Sequence, residues 1–160
     1  RKLKVISRTE LFAGLDARNQ RLLAFSAQWY SAPKGKRVFS MNERPDAAYL
    51  CLSGRAMMSY SDPDGTPHEI SEVGPGRLIG DLAIILNEPR QLDLIAMEDT
   101  QFLRIGAEQF RAVIETDAGV LMSLLKTVAR HLTGAAELLR EARLEIPQEA
   151  GPPSPPVNVE

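Results

Sequence analysis

The sequence contains one cysteine, two histidines and no long hydrophobic run. A single thiol at Cys51 excludes an internal disulfide and is consistent with a reducing compartment. Since Cys51 lies in an apolar segment, we expect a buried, inert thiol. The longest apolar stretch, from Ala118 to Val128, is broken by polar residues, and it is shorter than the roughly 18 residues that predict a membrane span. With no secretory signal after the N-terminus, the chain is predicted to be cytoplasmic.

The sequence also lacks residue patterns that would indicate a catalytic or nucleic-acid-binding protein. Neither His68 nor His131 has a metal-ligating residue at ligand spacing, so we expect no metal or cofactor site. No nucleophile–histidine arrangement or pair of carboxylates stands out, which predicts that the domain is not an enzyme. A net charge of −2 and a pI near 5.8 argue against nucleic-acid binding.

Proline and glycine divide the chain into three parts. Residues 146–160 are rich in proline and poor in apolar residues, which predicts a disordered tail. Residues 1–8 are basic and are assigned to an N-terminal extension, and residues 9–145 to one folded domain. The chain starts with Arg1 instead of Met, so we expect a fragment or a processed chain.

The middle of the domain is predicted to be an antiparallel β-structure. A helical segment interrupted near Gly14 is expected over 9–29, with Thr9 capping its first turn. Short apolar runs separated by turn residues then predict strands, and the DPDG sequence at 62–65 predicts a hairpin turn. Such short, evenly spaced strands are typical of a small barrel or jelly roll. The predicted strands are 37–40, 47–54, 55–61, 67–73, 91–97 and 101–105.

Two helices are predicted after the strands. One covers 107–116, and a long amphipathic helix follows from Ala118 to about Glu145, with Asp117 as its cap. Leucines recur along the long helix at three- and four-residue spacing. This apolar stripe is interpreted as core, as a lid over a ligand or as a dimer seam. Gly134 is a weak point in the helix, and it is either a hinge or a position that faces a close neighbour.

The segment from Gly76 to Arg90 has a composition suited to binding a phosphate. Gly80 allows a close backbone approach, and the next N–H groups would form an anion cradle at the start of a short helix. Arg90 supplies a bidentate fork. The alternative is an ordinary surface turn in which Arg90 pairs with Asp81 or Asp93. The spacing alone favours neither interpretation.

The run from Leu11 to about Leu144 resembles the cyclic nucleotide-binding domains of catabolite activators, protein-kinase regulatory subunits and cyclic-nucleotide-gated channels. The resemblance is carried by LFAGL at 11–15, by KGKRVFSMNERPDAAYLCLSGR at 34–55 and by VGPGRLIGDLAIILNEPR at 73–90. It implies an α+β fold, an antiparallel jelly-roll-like β-roll with an N-terminal helix, a short phosphate-cassette helix and a long C-terminal helix. Asn42 replaces a common glycine and is expected to accept a left-handed turn.

The resemblance implies a ligand, cAMP or cGMP, and a set of residues that bind it. Arg90 matches the arginine that binds the phosphate, and Asp81 stands where the family has a glutamate for the ribose 2′-hydroxyl. The implied ligand-binding residues are Ile79, Gly80, Asp81, Leu82, Ala83, Arg90, Gln91, Asp93 and Thr133.

Three residues after Arg90 depart from the family pattern of small and hydroxyl side chains. Strand alternation places Gln91 and Asp93 on one face, toward the ligand. A carboxylate about 6 Å from a phosphate would cost about 2–3 kcal/mol at an effective dielectric of about 20. Asp93 has three possible roles: it imposes this penalty, it holds Arg90 in the empty state, or it accepts hydrogen bonds from a guanine edge. Since the long helix offers Ala135 and Ala136 to the base, with Thr133 nearby, modest selectivity between cAMP and cGMP is expected.

Two functions from different classes follow. The first is a regulatory sensor in which nucleotide binding moves the C-terminal helix and signals to an attached effector (a channel, a transporter or a signalling enzyme). That effector is expected upstream of Arg1, so the domain could be the cytoplasmic part of a membrane protein. The second is a protein-interaction or assembly module with a degenerate pocket. A homodimer through the C-terminal helix is compatible with either function, and no nucleic-acid partner is expected.

Overall fold

The computed structural model describes residues 1–145 and shows two antiparallel four-stranded sheets with helices at both ends of the chain. The helices are α1 Lys2–Arg8, α2 Glu10–Ala13, α3 Ala17–Ser26, α4 Asp81–Leu86, α5 Ala107–Thr116 and α6 Ala118–Glu145. The strands are β1 Gln28–Ala32, β2 Arg37–Phe39, β3 Ala47–Ser53, β4 Ala56–Ser61, β5 Pro67–Val73, β6 Leu78–Ile79, β7 Asp93–Ala96 and β8 Thr100–Gly106. The predicted fold class is confirmed.

The two sheets enclose one hydrophobic core, and the helices cover a second. One sheet has the order β1-β8-β3-β6 and the other β2-β7-β4-β5. Alternate residues of β3 point to opposite faces: Tyr49 and Cys51 face the interior between the sheets, whereas Ala48 and Leu50 pack under the helices. This strand is therefore buried on both faces. Burial also raises the pKa of the Cys51 thiol, in keeping with the expected inert cysteine.

The N-terminal region differs from its prediction. The chain forms α2 and α3 with the interruption near Gly14 that the sequence predicts, but α3 ends at Ser26 and the chain enters strand β1 at Gln28. This strand pairs with β8, more than 70 residues later in the chain, so a local pattern could not reveal it. Thr9 also does not cap as predicted, because its hydroxyl donates to the Val5 carbonyl.

Local signals elsewhere predicted the structure well. The DPDG turn joins β4 to β5, and Asn42 adopts the expected left-handed conformation with a φ of 70°. The Asp117 carboxylate accepts the N–H groups of Gly119 and Val120, so it caps α6 as predicted. Both C-terminal helices have the predicted bounds.

The chain divides into two compact units, Arg1–Ser123 and Leu124–Glu160. Residues 1–8, assigned from the sequence to an extension, form α1, and Ile6 is fully buried in the core under the helices. In the second unit, residues 124–145 are the continuation of α6, while the predicted Pro-rich tail lies outside the described residues. Within residues 1–145, no helix combines the length and hydropathy that crossing a membrane requires.

Candidate ligand-binding site

The predicted phosphate cassette forms a strand, a left-handed glycine and a short helix. Strand β6 ends at Ile79, Gly80 has a φ of 83°, and α4 starts at Asp81. Because a glycine at this position has no side chain to cap the helix, the first turn of α4 receives no side-chain cap, and the N–H groups of Leu82 and Ala83 lie where an anion would bind. Ile84, fully buried, anchors α4 to the core under the helices.

Arg90, ten residues after Gly80, is placed against this glycine by the loop before β7. Its backbone N–H donates to the Glu43 carbonyl, and its own carbonyl accepts the N–H of Asn42, with N···O distances of 2.9 and 2.7 Å. These bonds tie the segment before β7 to the turn that follows β2. The left-handed turn at Asn42 therefore has a function in the site, because it presents the backbone groups that hold Arg90.

The Arg90 side chain is almost completely buried, with 2% of its surface exposed. Its guanidinium carbon lies 4.0 Å from the centroid of the Phe39 ring, a cation–π contact. Nη2 donates to the Ala47 carbonyl at 2.6 Å, and Nη1 lies 3.5 Å from the Gly80 carbonyl. Nε has no hydrogen-bond partner in the part of the chain that the structure describes. The guanidinium is thus held in place through Nη1 and Nη2, while Nε is unused.

The ion-pair partner of Arg90 is Asp46, a residue that the sequence analysis did not consider. Oδ1 of Asp46 lies 3.2 Å from Nη2 of Arg90, and Oδ2 lies 2.8 Å from Nη2 of Arg104. The partial burial of Asp46 would by itself raise the pKa of its carboxyl, but hydrogen bonds from Arg104 and Arg90 outweigh it and lower the pKa below its usual range. The side chain of Asp46 is 60% exposed, so a single accessible carboxylate bridges the two arginines.

Asp93 occupies a different environment from the one predicted. Its carboxylate is buried, accepts the Met41 N–H at 2.7 Å and lies 3.6 Å from Nη1 of Arg37. The proposal that Asp93 holds Arg90 is therefore replaced by the Asp46 pair. Because a backbone donor and an arginine already compensate the Asp93 charge, its repulsion of a bound phosphate is smaller than the bare Coulomb value.

The other predicted site residues are distributed between the cassette and the long helix. Ile79 is buried, Leu82 is exposed and Ala83 is half-buried, all within the cassette. Gln91 is exposed, directly after Arg90. Thr133 lies on α6, where its hydroxyl donates to the Ala129 carbonyl of the same helix.

Four residues of the site were missed from the sequence: Phe39, Asp46, Ala47 and Arg104. Each of them acts through a contact that is distant in sequence, such as the 44-residue separation between Asp46 and Arg90. The one local signal was the aspartate immediately before the apolar strand β3, which is a common position for a polar side chain at a strand end. Arg111 of α5 was also missed. Its guanidinium donates to the Ile84 carbonyl and to the Asn87 side chain at the C-terminal end of α4.

The lowered pKa of Asp46 predicts a pH-dependent contribution to stability. Because the folded state binds the Asp46 proton less tightly than the unfolded state, the carboxylate stabilises the fold above the unfolded pKa of 3.8, and this contribution is lost as the pH falls through the lower folded pKa. The free energies of unfolding of the wild type and Asp46→Asn, measured with urea, should therefore differ most near neutral pH and become equal in acid. The exposed carboxyl of Glu88 supplies the control, and an equal convergence for Glu88→Gln would contradict this assignment.

Comparison with known proteins agrees with this geometry. A family model described as cyclic nucleotide-binding domain matches residues 30–117. The chain is 29% identical to the cyclic AMP receptor protein of Thermus thermophilus over 136 residues, which cover 85% of the chain and 60% of that protein. It is 24% identical over 113 residues to the lysophospholipase nte1 of Aspergillus niger, covering 71% of the chain and 7% of that protein.

A solved structure gives the same result for the fold. The catabolite activator protein of Thermus thermophilus superposes with a TM-score of 0.70 and 28% sequence identity, covering 84% of this chain and 63% of that one. The chain thus spans less than two thirds of the length of each of these relatives. Since the family model covers more than half of the 160 residues, including the cassette and Arg90, the chain belongs to the cyclic nucleotide-binding domain family, whose members are regulatory ligand-binding domains.

Proposed function

We propose that the domain binds a cyclic nucleotide, with the phosphate against Arg90 and the backbone of Gly80 to Ala83. The observation that carries this proposal is the buried guanidinium of Arg90, which has an unused Nε and lies at the glycine that starts α4. A buried cation is costly unless an anion compensates it. A phosphate oxygen at this position would accept from Nε and from the cassette N–H groups together.

Asp46 acts as the resident anion in the empty site. The ligand phosphate displaces its carboxylate from Arg90, and the exposed side chain of Asp46 keeps its second bond to Arg104. Because the carboxylate is accessible, water can solvate it after displacement at little cost. The net affinity is then the difference between two charge-assisted interactions of Arg90, so Asp46→Asn should bind more tightly than the wild type.

The remaining site residues are assigned to the ribose and the base. Asp81, the first residue of α4, accepts from the ribose 2′-hydroxyl, and the exposed Gln91 contacts the base. Thr133 is in the second unit, where its hydroxyl is bonded to the Ala129 carbonyl, and it is given no contact with the ligand. Leu82, Ala83 and Ile79 supply backbone groups and apolar walls.

Calorimetric titration tests this function. We expect saturable binding of cAMP and cGMP, weaker binding of 5′-AMP and none of adenosine, because the Arg90 pocket recognises a phosphate held close to the ribose. If neither cAMP nor cGMP binds at high micromolar concentration, the proposal is refuted. Equal binding of adenosine would show that the phosphate contributes nothing.

Selectivity between the two nucleotides is expected to be small. The family's Thr-Ser pair for the base corresponds to Ala135 and Ala136, which have no hydrogen-bonding side chains. One remaining polar contact through Gln91 is worth about 0.5–1.5 kcal/mol, or about a factor of ten. Competition titrations should give a ratio of dissociation constants below about one hundred. A larger ratio would mean that another residue recognises the base.

The second candidate function is a protein-interaction module that binds no nucleotide. It is favoured by the bonds that Arg90 already makes to Asp46 and Ala47. Under this function, Asp46→Asn would leave nucleotide binding undetectable, whereas under the first function it would increase the affinity. The same variant therefore separates the two candidates.

We also propose that nucleotide binding moves α6 and that an effector is attached to the domain, because regulation requires both. The matched region is a small part of the lysophospholipase, in keeping with a regulatory domain of a larger protein in the cytoplasm. On α6 itself, apolar residues recur with a heptad spacing that suits a two-stranded seam. The stripe consists of Leu121, Leu125, Val128, Leu132, Ala135 and Leu139.

The seam predicts a homodimer that one charge would weaken. Leu132→Glu places two carboxylates in the seam and removes two buried leucines, so the dimer dissociation constant should rise by at least about a hundredfold. Analytical ultracentrifugation measures this change. Lys126→Glu adds the same side chain on another face of α6 and should leave the dimer unchanged. An unaltered dimer in Leu132→Glu would place the interface elsewhere.

A further inference from the structure

The N-terminal part of the chain has a charge opposite to that of the rest. Residues 1–29 contain six of the 19 Lys and Arg residues but only two of the 21 acidic residues, a net charge of +4 in a chain of −2 overall. The remaining residues therefore carry −6. This segment includes α1 and α3, which lie outside the cassette, so its charge is independent of the ligand-binding site.

The outward face of α3 combines these charges with exposed apolar side chains. Leu23 is fully buried. At about 100° per residue, Arg21 and Phe25 lie on the opposite side of α3, with Arg18 close to them and Leu22 on the flank. Phe25 is 90% exposed, and Leu22 is more than half exposed. Arg18 and Arg21 stand one helical turn before Leu22 and Phe25, respectively. The helix thus presents an exposed aromatic ring one turn after Arg21 and two turns after Arg18.

The neighbouring strand adds an aromatic residue to this face. Trp29 lies on β1, the edge strand of its sheet, and pairs directly with Leu103 of β8. Directly paired residues share a face, and Leu103 packs in the core under the helices. Trp29 is therefore on the same side of the sheet as α3, and it remains 46% exposed.

Helix α1 extends the basic surface. Ile6 of α1 and Leu23 of α3 share one core, and Nζ of Lys2 donates to the Ala27 carbonyl at the end of α3. The two helices therefore lie side by side, and the exposed Lys4 points away from the buried side of α1. The α3 face is defined by Lys4, Arg18, Arg21, Leu22, Phe25 and Trp29.

We propose that the α3 face docks the domain on an anionic lipid bilayer, with Phe25 and Trp29 in the headgroup region and the cations on acidic lipids. The ring of Phe25 is 90% exposed, which suits a deformable surface, and aromatic residues favour the membrane–water interface. Cations next to these rings gain from the negative surface potential. A second copy fits poorly, because a two-fold contact would bring the cations Lys4, Arg18 and Arg21 of one copy against those of the other.

The single tryptophan of the chain reports this docking directly. Vesicles of phosphatidylcholine with phosphatidylserine should shift the Trp29 emission to the blue and co-sediment the protein, whereas pure phosphatidylcholine should do neither. Arg18→Gln with Arg21→Gln should weaken the partitioning roughly 20-fold, since each cation near an anionic surface is worth roughly a factor of five. Raising the salt concentration should weaken the wild type in the same direction.

Matched variants make the test specific. Lys34→Gln with Lys36→Gln removes two exposed cations from another surface, and Ile70→Ser removes an exposed apolar side chain from β5; both should bind like the wild type. Phe25→Ser should reduce partitioning about tenfold without lowering the unfolding temperature, because Phe25 is exposed. The proposal would be overturned if the wild type bound neutral vesicles as well as acidic ones, or bound neither. It would also be overturned if the control variants lost as much binding as the α3 variants. Phe25-dependent self-association, or Phe25-dependent binding to polyglutamate without binding to vesicles, would overturn it too.

Discussion

Arg90→Lys is expected to weaken cyclic nucleotide binding by about 10- to 100-fold while the domain remains folded. Lysine keeps the positive charge and can reach the Ala47 carbonyl, which now accepts from Nη2 at 2.6 Å. It cannot supply the planar fork that reaches a phosphate and the protein at the same time. Losing one charge-assisted hydrogen bond is worth about 1.5–3 kcal/mol, which gives this range of affinity.

The control for Arg90→Lys is Arg111→Lys. Arg111 is bonded to the opposite end of α4, through the Ile84 carbonyl and the Asn87 side chain. Titration calorimetry on both variants, with thermal unfolding to confirm the fold, separates loss of the phosphate contact from general loosening of α4. Wild-type affinity in Arg90→Lys would show that the buried guanidinium is a structural ion pair with Asp46 and not a phosphate ligand.

Gly80→Ala should lower both the stability and the affinity of the domain. The φ of 83° costs a residue with a side chain about 1–2 kcal/mol. In addition, a Cβ at Gly80 would lie 2.6 Å from Nη1 of Arg90 and 3.3 Å from the Ala47 carbonyl. Since Arg90 must move to relieve this contact, we expect binding to fall by at least about tenfold.

Gly76 provides a matched control four residues earlier in the chain. Its φ is 90°, and among the described residues no atom lies within 4 Å of a Cβ built there. Gly76→Ala should therefore lose a similar amount of stability in chemical denaturation while retaining its affinity for the nucleotide. If both variants lose affinity equally, the effect comes from backbone strain, and the contact between Gly80 and Arg90 has no special part in binding.

Elements with strong local signals could be predicted from the sequence, and elements formed by long-range pairing could not. The bounds of α5 and α6 follow from periodicity and from the Asp117 cap, which are properties of neighbouring residues. Strand β1 forms because β8 offers it a partner, so the helical pattern before it was extended too far. Its alternation is also weak, since only its last residue, Ala32, is buried.

The site divides in the same way. The cassette from Gly76 to Arg90 was predicted because its glycines and its arginine are close in sequence, and the matched family model covers that region. The partner of Arg90 was not predicted. Strand alternation suggested Asp93, but the Met41 N–H, placed by the turn after β2, takes that carboxylate, and Asp46 reaches Arg90 from the start of β3.

The sequence by itself determined the family and the order of most elements, and it predicted Arg90 as the arginine that binds the phosphate, because these depend on local composition and on spacing. Only the tertiary structure decided which carboxylate neutralises Arg90. It also decided that the outward face of α3 is exposed, with mostly apolar and basic side chains. Both depend on how sheets and helices pack. A buried guanidinium takes the anion that folding brings to it, from whatever position in the chain that anion comes.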